Sequence, residues 1–394
     1  TLQQLAPLLA PDDVVIDAGN SHFRDTERRI DDLDRRGLHL LGLGVSGGPR
    51  GARQGPGLMP GGSPAAYERA EPLLARLAAR LDDEPNVAYL GAGGAGHHVK
   101  MVHNGIEYGV MQLLAEAYAL LREVGGLEIG AVAEICERWR EGPLASQLLD
   151  ITTGILGFID PDTGRPLLEL LSDAASQSGT GRWTSEEALA LHVPTPTIDA
   201  AVAMRNLSSL QAERHALAAI LPRNPPVATD RDTAADLVDR LGHALEAALL
   251  VTYAQGFALL GRASLAHGFG CDLPTVARTW RTGCIISAAV LDDLHAALAA
   301  DPARPHPLLH VPLAEAVARH TSDLGEVVAL SARAGTPTPA LAASHAYLAG
   351  LRSDRLPTAL IQAQRDAFGD HGYLRRDREG KQHTDWPRPE GSNR

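Results

Sequence analysis

Apolar positions along this chain fall into two regimes. In the first ninety or so residues they come in short runs, several of them β-branched, separated by charged stretches of helical spacing. Val14-Val15-Ile16, closed by Asp17-Ala18-Gly19-Asn20-Ser21, predicts a strand over 13–17 and a turn after it. Residues 25–37 predict a charged helix that stops at Gly37, and 38–42 a second strand. The Gly/Pro-rich stretch 44–62 follows, with a short strand at Leu58-Met59. Ser63-Pro64 predicts the head of a helix over 65–81, and Val87-Ala88-Tyr89-Leu90 another strand. This β-α-β-β-α-β alternation points to one end of a doubly wound α/β domain.

After Gly96 the period changes to 3.6 and holds to about Leu348. Helices are predicted over 111–123, 128–140, 185–191, 232–261 and 313–334, and no strand is. Loops carry Pro222-Arg223-Asn224-Pro225-Pro226 and the run 302–307. The fold class read from this pattern is α/β plus all-α. Residues 1–95 form an α/β domain, 96–352 a large all-helical domain, and 353–394 a C-terminal segment. That segment ends in a polar tail, 375–394, that is either frayed or docked on a partner.

Composition removes several function classes. Apolar residues at 44% and charged residues at 21% are ordinary for a globular chain, which excludes disorder over most of the length. No uninterrupted apolar run approaches the roughly 18–20 residues of a membrane span, so no membrane association is expected. A net charge of −12 repels phosphate backbones, so no nucleic-acid partner is expected either, and an anionic ligand needs a local cationic pocket. Cys136, Cys271 and Cys284 are too few and scattered for a disulfide framework or a zinc site. They read as core residues of a cytoplasmic protein. The opening Thr1–Leu9 shows neither initiator Met nor leader pattern and resembles a helix already under way, which predicts further chain upstream. Of 36 cationic side chains, only Lys100 and Lys381 are lysines. A lysine kept inside a helix, where arginine is the default, raises the question of an amine that must lose its proton.

Two segments match the dinucleotide fingerprint G-x-G-x-x-G. In the first, Gly42-x-Gly44-x-x-Gly47, the prolines 49, 56 and 60 are expected to forbid the helix the motif requires. In the second, Gly91-x-Gly93-x-x-Gly96, no second strand with an acidic residue follows. It reads better as a hinge that brings backbone close to a ligand. The first domain therefore resembles the C-terminal part of a Rossmann-like domain whose own fingerprint is not in this sequence.

The densest chemistry lies in His97-His98-Val99-Lys100-Met101-Val102-His103-Asn104-Gly105-Ile106-Glu107-Tyr108-Gly109. Lys100, Asn104 and Glu107 share one helix face with His103 beside them. An ion pair on a helix surface is one reading. The other is acid–base chemistry. A desolvated lysine has a lowered pKa and can act as a base, and a desolvated glutamate has a raised one and can act as an acid.

This segment resembles 6-phosphogluconate dehydrogenase, the decarboxylating kind. So do Val45-Ser46-Gly47-Gly48, Gly55-Pro56-Gly57-Leu58-Met59-Pro60-Gly61-Gly62 and Asp17-Ala18-Gly19-Asn20-Ser21. Gly179-Thr180-Gly181-Arg182-Trp183-Thr184, Tyr253-Ala254-Gln255-Gly256-Phe257, 280–286 and Gln364-Arg365-Asp366 through His371 extend the match in family order along the whole chain. The resemblance implies oxidative decarboxylation of 6-phosphogluconate to ribulose 5-phosphate and CO2, with NADP reduced, in the pentose phosphate pathway and gluconate utilisation. It implies Lys100 as general base and Glu107 as general acid. Ser46, Gly47 and Gly48 would bind the substrate carboxylate and nearby hydroxyls, and His103 and Asn104 sugar oxygens. Asn20 would lie between nicotinamide and substrate. Tyr108, Arg205, Arg365 and His371 would surround the phosphate, the last two in the other subunit of a homodimer.

Two departures qualify the match. Ser178 stands where the family has a phosphate-binding lysine. Losing such a charge-assisted bond costs roughly 1.5–3 kcal/mol, or about one to two decades of affinity, unless Arg182 substitutes. The opening β-α-β with its fingerprint has no counterpart in this sequence. A β-hydroxyacid dehydrogenase acting on a non-phosphorylated sugar acid, and a dimer that binds sugar acids without cofactor, are therefore the alternatives.

Overall fold

The structure, a computed structural model, describes residues 2–221 and 231–387. It divides into two compact units, Thr1–His345 and Ala346–Arg394. The first opens with α1 (Leu2–Leu5), β1 (Val14–Asp17), α2 (Phe23–Asp34), β2 (His39–Ser46), α3 (Gly48–Gln54), β3 (Gly57–Gly62) and α4 (Pro64–Leu77), followed by the minimal hairpin β4 (Arg80–Leu81) and β5 (Glu84–Pro85). The sheet order is β1-β2-β3. β1 runs parallel to β2, with Val14 opposite His39, and β3 runs antiparallel, with Gly62 opposite Leu41. β2 is the central strand and is buried on both faces, as its Leu40-Leu41-Gly42-Leu43-Gly44 run requires. On one face Leu41, Leu43 and Leu58 pack against Ala66, Tyr67, Ala70 and Leu74 of α4. That helix begins where the Ser63 hydroxyl accepts the Ala66 N–H and Pro64 takes the first turn.

Two expectations for this region are corrected. The helix that the prolines were expected to forbid does form, as α3, because Pro49 sits in its first turn, where the missing N–H has no intrahelical partner anyway. The strand expected at 87–90 is not one. The segment is extended beside β3, but only the Leu90 N–H to Pro60 and the Gly62 N–H to Gly91 bind it there, and the Tyr89 hydroxyl donates to the Gly62 carbonyl.

The rest of the first unit is helical. Along it run α5 (Ala95–Glu123), α6 (Ile129–Trp139), α7 (Gln147–Leu156), α8 (Thr180–Ala190), α9 (Pro196–Ser209), α10 (Gln211–Ile220), α11 (Arg231–His267), α12 (Leu273–Trp280), α13 (Val290–Ala300) and α14 (Val311–Ala334), and α15 (Pro339–Leu351) begins in it and ends in the second unit. The proline loop 222–226 lies outside the described residues. Residues 235–267 of α11 are long and apolar enough to cross a membrane, which the sequence reading did not anticipate. Their most apolar stretch is 83% buried inside the protein, where Leu241, Leu245, Val251, Tyr253 and Phe257 form core. The difference lies in scattered Gly, Thr, Gln and Tyr residues, which break the uninterrupted run yet leave the average apolar.

α5 passes through the middle of this unit, buried along most of its length. Its first turns dock on the second face of the sheet through glycines. A Cβ on Gly44 would stand 2.4 Å from Lys100 Cβ, one on Gly61 2.2 Å from the Gly96 nitrogen, and one on Gly96 2.3 Å from the Gly42 oxygen. Further along, Gly105 meets Thr184 of α8 and Gly109 meets Thr252 of α11.

In the second unit, α16 (Thr358–Gly369) leads to a two-stranded hairpin, β6 (Tyr373–Leu374) and β7 (Lys381–Gln382). The described part of the tail is not frayed. It folds around the buried Asp366 carboxylate, which accepts the Gly372 and Thr384 N–H groups, the Trp386 indole N–H and a His383 ring nitrogen. Burial pushes this carboxyl up, but the four donors together hold it well below the ordinary range.

Gly61→Ala is expected to destabilise the chain by about 1–3 kcal/mol, because backbone meets backbone at Gly96 and neither can retreat. Gly154→Ala, in α7 with open space around it, is expected to be neutral or stabilising by up to about 1 kcal/mol. Thermal unfolding of both variants decides the matter, and equal effects would refute the docking argument. Asp366→Ala is expected to open the hairpin to protease at 373–386, read by mass of the fragments, while the first unit stays intact.

Candidate active site

Four polar side chains of α5 stack on the face that overlies β2, and each has a defined place. Lys100 is 7% exposed, with its Nζ 3.4 Å from His103 Nδ1. His103 is fully buried. Its Nδ1 lies 3.1 Å from Asn104 Oδ1 and 3.8 Å from Glu107 Oε2, and its Nε2 2.9 Å from Ser46 Oγ. The Ser46 hydroxyl, at the carboxyl end of β2, accepts the Ile285 N–H, leaving its own proton free for His103 Nε2. The network thus assigns the imidazole proton to Nδ1, donated to Asn104, and leaves His103 neutral. Trp280 packs edge-on against the ring at 5.8 Å, with Phe257 behind it.

The electrostatics follow from burial. Desolvation lowers the Lys100 pKa, against the pull of the Glu107 carboxylate and the Cys284 thiol. Desolvation raises that of Glu107, outweighing Lys100 and Arg205. Burial and the Lys100 charge hold His103 well below its usual value, with the Asn104 hydrogen bond opposing. The site therefore offers an amine inclined to lose a proton and a carboxyl inclined to keep one, about two helical turns apart, with a neutral imidazole between them. The surface ion-pair reading fails on burial.

Sequence reasoning missed Cys284. Its thiol lies beside Ser46 and Lys100, and burial pushes it up to about 12, despite Lys100 and the Ser46 hydroxyl. It is an inert wall of the site, and Gly57 leaves it room: a Cβ there would sit 2.3 Å from the sulfur. No local pattern in the sequence signalled it, because the contact joins β3 to the loop after α12.

The other site candidates of this unit lie around that face. Gly47 has φ +107° and caps α3, and Gly48 is exposed with open space where a Cβ would be. The Tyr108 ring is covered by the Arg205 guanidinium at 3.7 Å, which also donates to the Ser176 carbonyl. Gly181 lets α8 approach the same ring. Ser178 is exposed, and Arg182 points to solvent and pairs with Glu186 at 3.6 Å. Asn20 is exposed in the loop beyond β1. That loop is shaped by the Asp17 carboxylate, which accepts from the Gly19 N–H, the Ser21 hydroxyl and Arg29. A dinucleotide is bound beyond the carboxyl ends of parallel strands. Asn20 after β1 and Ser46-Gly47-Gly48 after β2, with space over Gly48, fit the nicotinamide end of such a cofactor.

In the second unit, Arg365 and His371 are brought together. They line one cavity of about 600 Å³, with Lys381 and Gln362 beside them. Lys381 is the second residue that sequence reasoning passed over. Its rarity as a lysine was the available signal.

Comparison with known proteins agrees along the chain. The model for the NAD binding domain of 6-phosphogluconate dehydrogenase matches residues 1–91, and that for the 6-phosphogluconate dehydrogenase C-terminal domain matches 96–386. The chain is 48% identical over 389 residues to the decarboxylating 6-phosphogluconate dehydrogenase of Synechococcus elongatus, spanning 98% of the chain and 82% of that relative. It is 41% identical to the NADP(+)-dependent decarboxylating enzyme of Bacillus subtilis over the same shares of each. Among solved structures, Plasmodium falciparum 6-phosphogluconate dehydrogenase, described as apo and in complex with NADP+ and with 6-phosphogluconate, superposes with a TM-score of 0.95 at 35% identity. That match covers 98% of this chain and 82% of the other.

The buried amine makes a pH-dependent prediction. Lys100 binds its proton less tightly folded than unfolded, where its pKa is about 10.4. Below the folded value both states are protonated and the full cost of burying the charge is present. As pH rises from there toward the unfolded value, that cost is relieved. Lys100→Met is therefore expected to melt higher than the native chain, by a margin that shrinks as pH rises. A margin that grows with pH in thermal melts would contradict the desolvation argument.

Proposed function

The chain belongs to the decarboxylating 6-phosphogluconate dehydrogenase family, and we propose that it converts 6-phosphogluconate to ribulose 5-phosphate and CO2 with NADP. In a cell this is the oxidative decarboxylation step of the pentose phosphate pathway and of gluconate utilisation. The observation that carries the reading is the pairing of a buried amine of lowered pKa, Lys100, with a carboxyl of raised pKa, Glu107, on one face of α5.

When bound beside Asn20, NADP supplies the hydride acceptor. Lys100 in its neutral form takes the proton from the C3 hydroxyl as that carbon is oxidised. The resulting ammonium then hydrogen-bonds the C3 carbonyl oxygen, which drains charge as the C1 carboxylate leaves as CO2, and returns its proton to that oxygen. Glu107, whose hold on its proton is strengthened by burial, delivers that proton to the carbon that carried the carboxylate, while Lys100, neutral again, takes back the proton of the enediol hydroxyl at the oxidised carbon, which completes the ketose. His103 stays neutral between them and so does not compete for the proton; it and Asn104 would hold sugar oxygens by exchanging the hydrogen bond they make with each other for bonds to the substrate. Ser46 and the Gly47 and Gly48 amides take the carboxylate and the hydroxyls next to it.

For the phosphate, Arg205 stacked on Tyr108 supplies a positioned cation, which would exchange its present bonds to the Ser176 carbonyl and the Met111 sulfur for the anion. Arg365 and His371 serve the phosphate in a second copy of the chain, which makes the functional unit a homodimer. Lys381 lines the same cavity as Arg365 and His371 and adds a further positive charge there. The functional boundaries are 1–95 for cofactor, 96–352 for substrate and dimerisation, and 353–394 for the segment that reaches the partner. Three free cysteines and a phosphorylated product both accord with the cytoplasm. Ser178, exposed and uncharged, favours a second reading, in which the acid is not phosphorylated.

The test is NADPH formation and CO2 release with 6-phosphogluconate, with gluconate as the comparison, alongside calorimetric titration of both acids. Lys100→Met and Glu107→Gln are each expected to lower kcat by about 10²–10⁴ with little change in the Kd of 6-phosphogluconate. Equal turnover of gluconate would replace this reading with the second. Tight binding of 6-phosphogluconate without any NADPH would leave a sugar-acid-binding dimer instead of an enzyme.

A further inference from the structure

Away from the residues used above, α11 and α14 pack along each other, and each carries a histidine followed by an acid one turn later. His243 and Glu246 stand on α11, and His320 and Asp323 on α14. The two imidazoles stack with ring centres 4.5 Å apart and planes 21° from parallel. His243 Nδ1 lies 2.8 Å from Asp323 Oδ2, and His320 Nε2 lies 3.5 Å from Glu246 Oε1. One donor atom from each of His243, His320 and Asp323 falls within 4.8 Å of the other two.

We propose that His243, His320 and Asp323, with Glu246 as a further donor, form a binding site for a divalent transition-metal ion at the seam of α11 and α14. Imidazole with carboxylate is the donor set that suits zinc, cobalt, nickel and copper, and it disfavours calcium and magnesium, which take oxygen alone. Donors on one such ion lie about 2.0–2.2 Å from it, and hence no more than about 4.4 Å from each other. The observed separations lie within about half an ångström of that range, and the half-exposed His243 side chain has room to turn toward the other donors. The charges are also right. Among the described residues, the ion pair of Asp323 is with His243 and that of Glu246 with His320; Arg240 adds a longer-range attraction to Asp323 but makes no direct ion pair with it. Arg240, one turn before His243, is bonded to Asp236 instead. Two neutral imidazoles and two carboxylates balance a dication. The His243 side chain is 49% exposed and that of His320 15%, so one ligand is open to solvent for entry and the other is held by packing. A bound ion would clamp α11 to α14, and water would fill the remaining positions.

The inference does not rest on the proposed reaction, and its test does not read activity. The chain, free of any affinity tag, is titrated with Co2+ while its visible absorption is followed, and with Zn2+ in a calorimeter. One equivalent of Co2+ per chain with a visible d–d band, and a higher Tm in Zn2+, are the expected results. His243→Gln and His320→Ala are each expected to abolish the band, and Asp323→Asn to weaken binding by at least about tenfold. Circular dichroism confirms that each variant is folded, and His243→Gln, at a half-exposed position, is the one least able to disturb packing. Absence of Co2+ and Zn2+ binding, or binding that survives both histidine substitutions unchanged, would overturn the proposal.

Discussion

Backbone contact between a helix and two strands, with no side chain between them, is the constraint on which the rest of the site depends. The two glycine motifs that resemble dinucleotide fingerprints are the two halves of this contact. Gly42 and Gly44 lie on β2, and Gly96 lies in the first turn of α5. A Cβ on any of the three would meet the opposite element at 3.1 Å or less. Gly61 on β3 completes the seat. Helices normally pack on sheets about 10 Å away, with side chains filling the space. Here the filling is removed, and α5 drops until Lys100 Cβ rests over Gly44. That places Lys100, His103 and Glu107 beside Ser46 at the carboxyl end of β2.

Close packing then does the electrostatic work. An amine at this depth loses hydration that only Glu107 and the Cys284 thiol partly replace, and its proton affinity falls. The Glu107 carboxyl, about two turns further along and partly open to solvent, loses hydration too, and its affinity rises. The imidazole between them is tied at both nitrogens, through Ser46 to the Ile285 N–H and through Nδ1 to Asn104. One geometric cause, the glycine seat, thus separates the proton affinities of three groups chiefly by burial, with the Lys100 charge adding to the effect on His103. The cost of burying an amine is offset by the apolar core of this unit, in which Trp280, edge-on to His103, Phe257 and Tyr253 are essentially fully buried.

Much of this was legible in the sequence, and what was not has identifiable causes. The 3.6 period located α5, α6, α8, α11 and α14, and the i, i+4, i+7 spacing put Lys100, Asn104 and Glu107 on one face. The meaning of the glycines was not legible, because a glycine kept for helix-to-strand approach and one kept for a phosphate loop look alike until the partner element is known. Proline misled at α3: its effect depends on whether it falls in the first turn, and the helix start was not visible among Gly47-Gly48. The run Val87–Leu90 is β-branched and aromatic enough for a strand but has only two backbone bonds to β3. Cys284 came to the site through tertiary contact alone.

The tail shows where pattern reading stops altogether. Residues 373–386 have no apolar periodicity, which suggests a frayed end, yet they fold around one carboxylate. Asp366 is fully buried at the side chain and accepts four hydrogen bonds from residues 6 to 20 positions later. A hydrophobic core requires many residues and leaves a periodic trace. A buried carboxylate organises a short segment with four donors and leaves none, because Gly, Thr, His and Trp at those positions are unremarkable one by one. The same hairpin carries Lys381 on β7 and sets it beside Arg365 and His371. The cations Arg365 and Lys381 share one cavity with the His371 ring; the Asp366 carboxylate fixes the backbone of the hairpin that carries Lys381, and it stays ionised because its own donors saturate it.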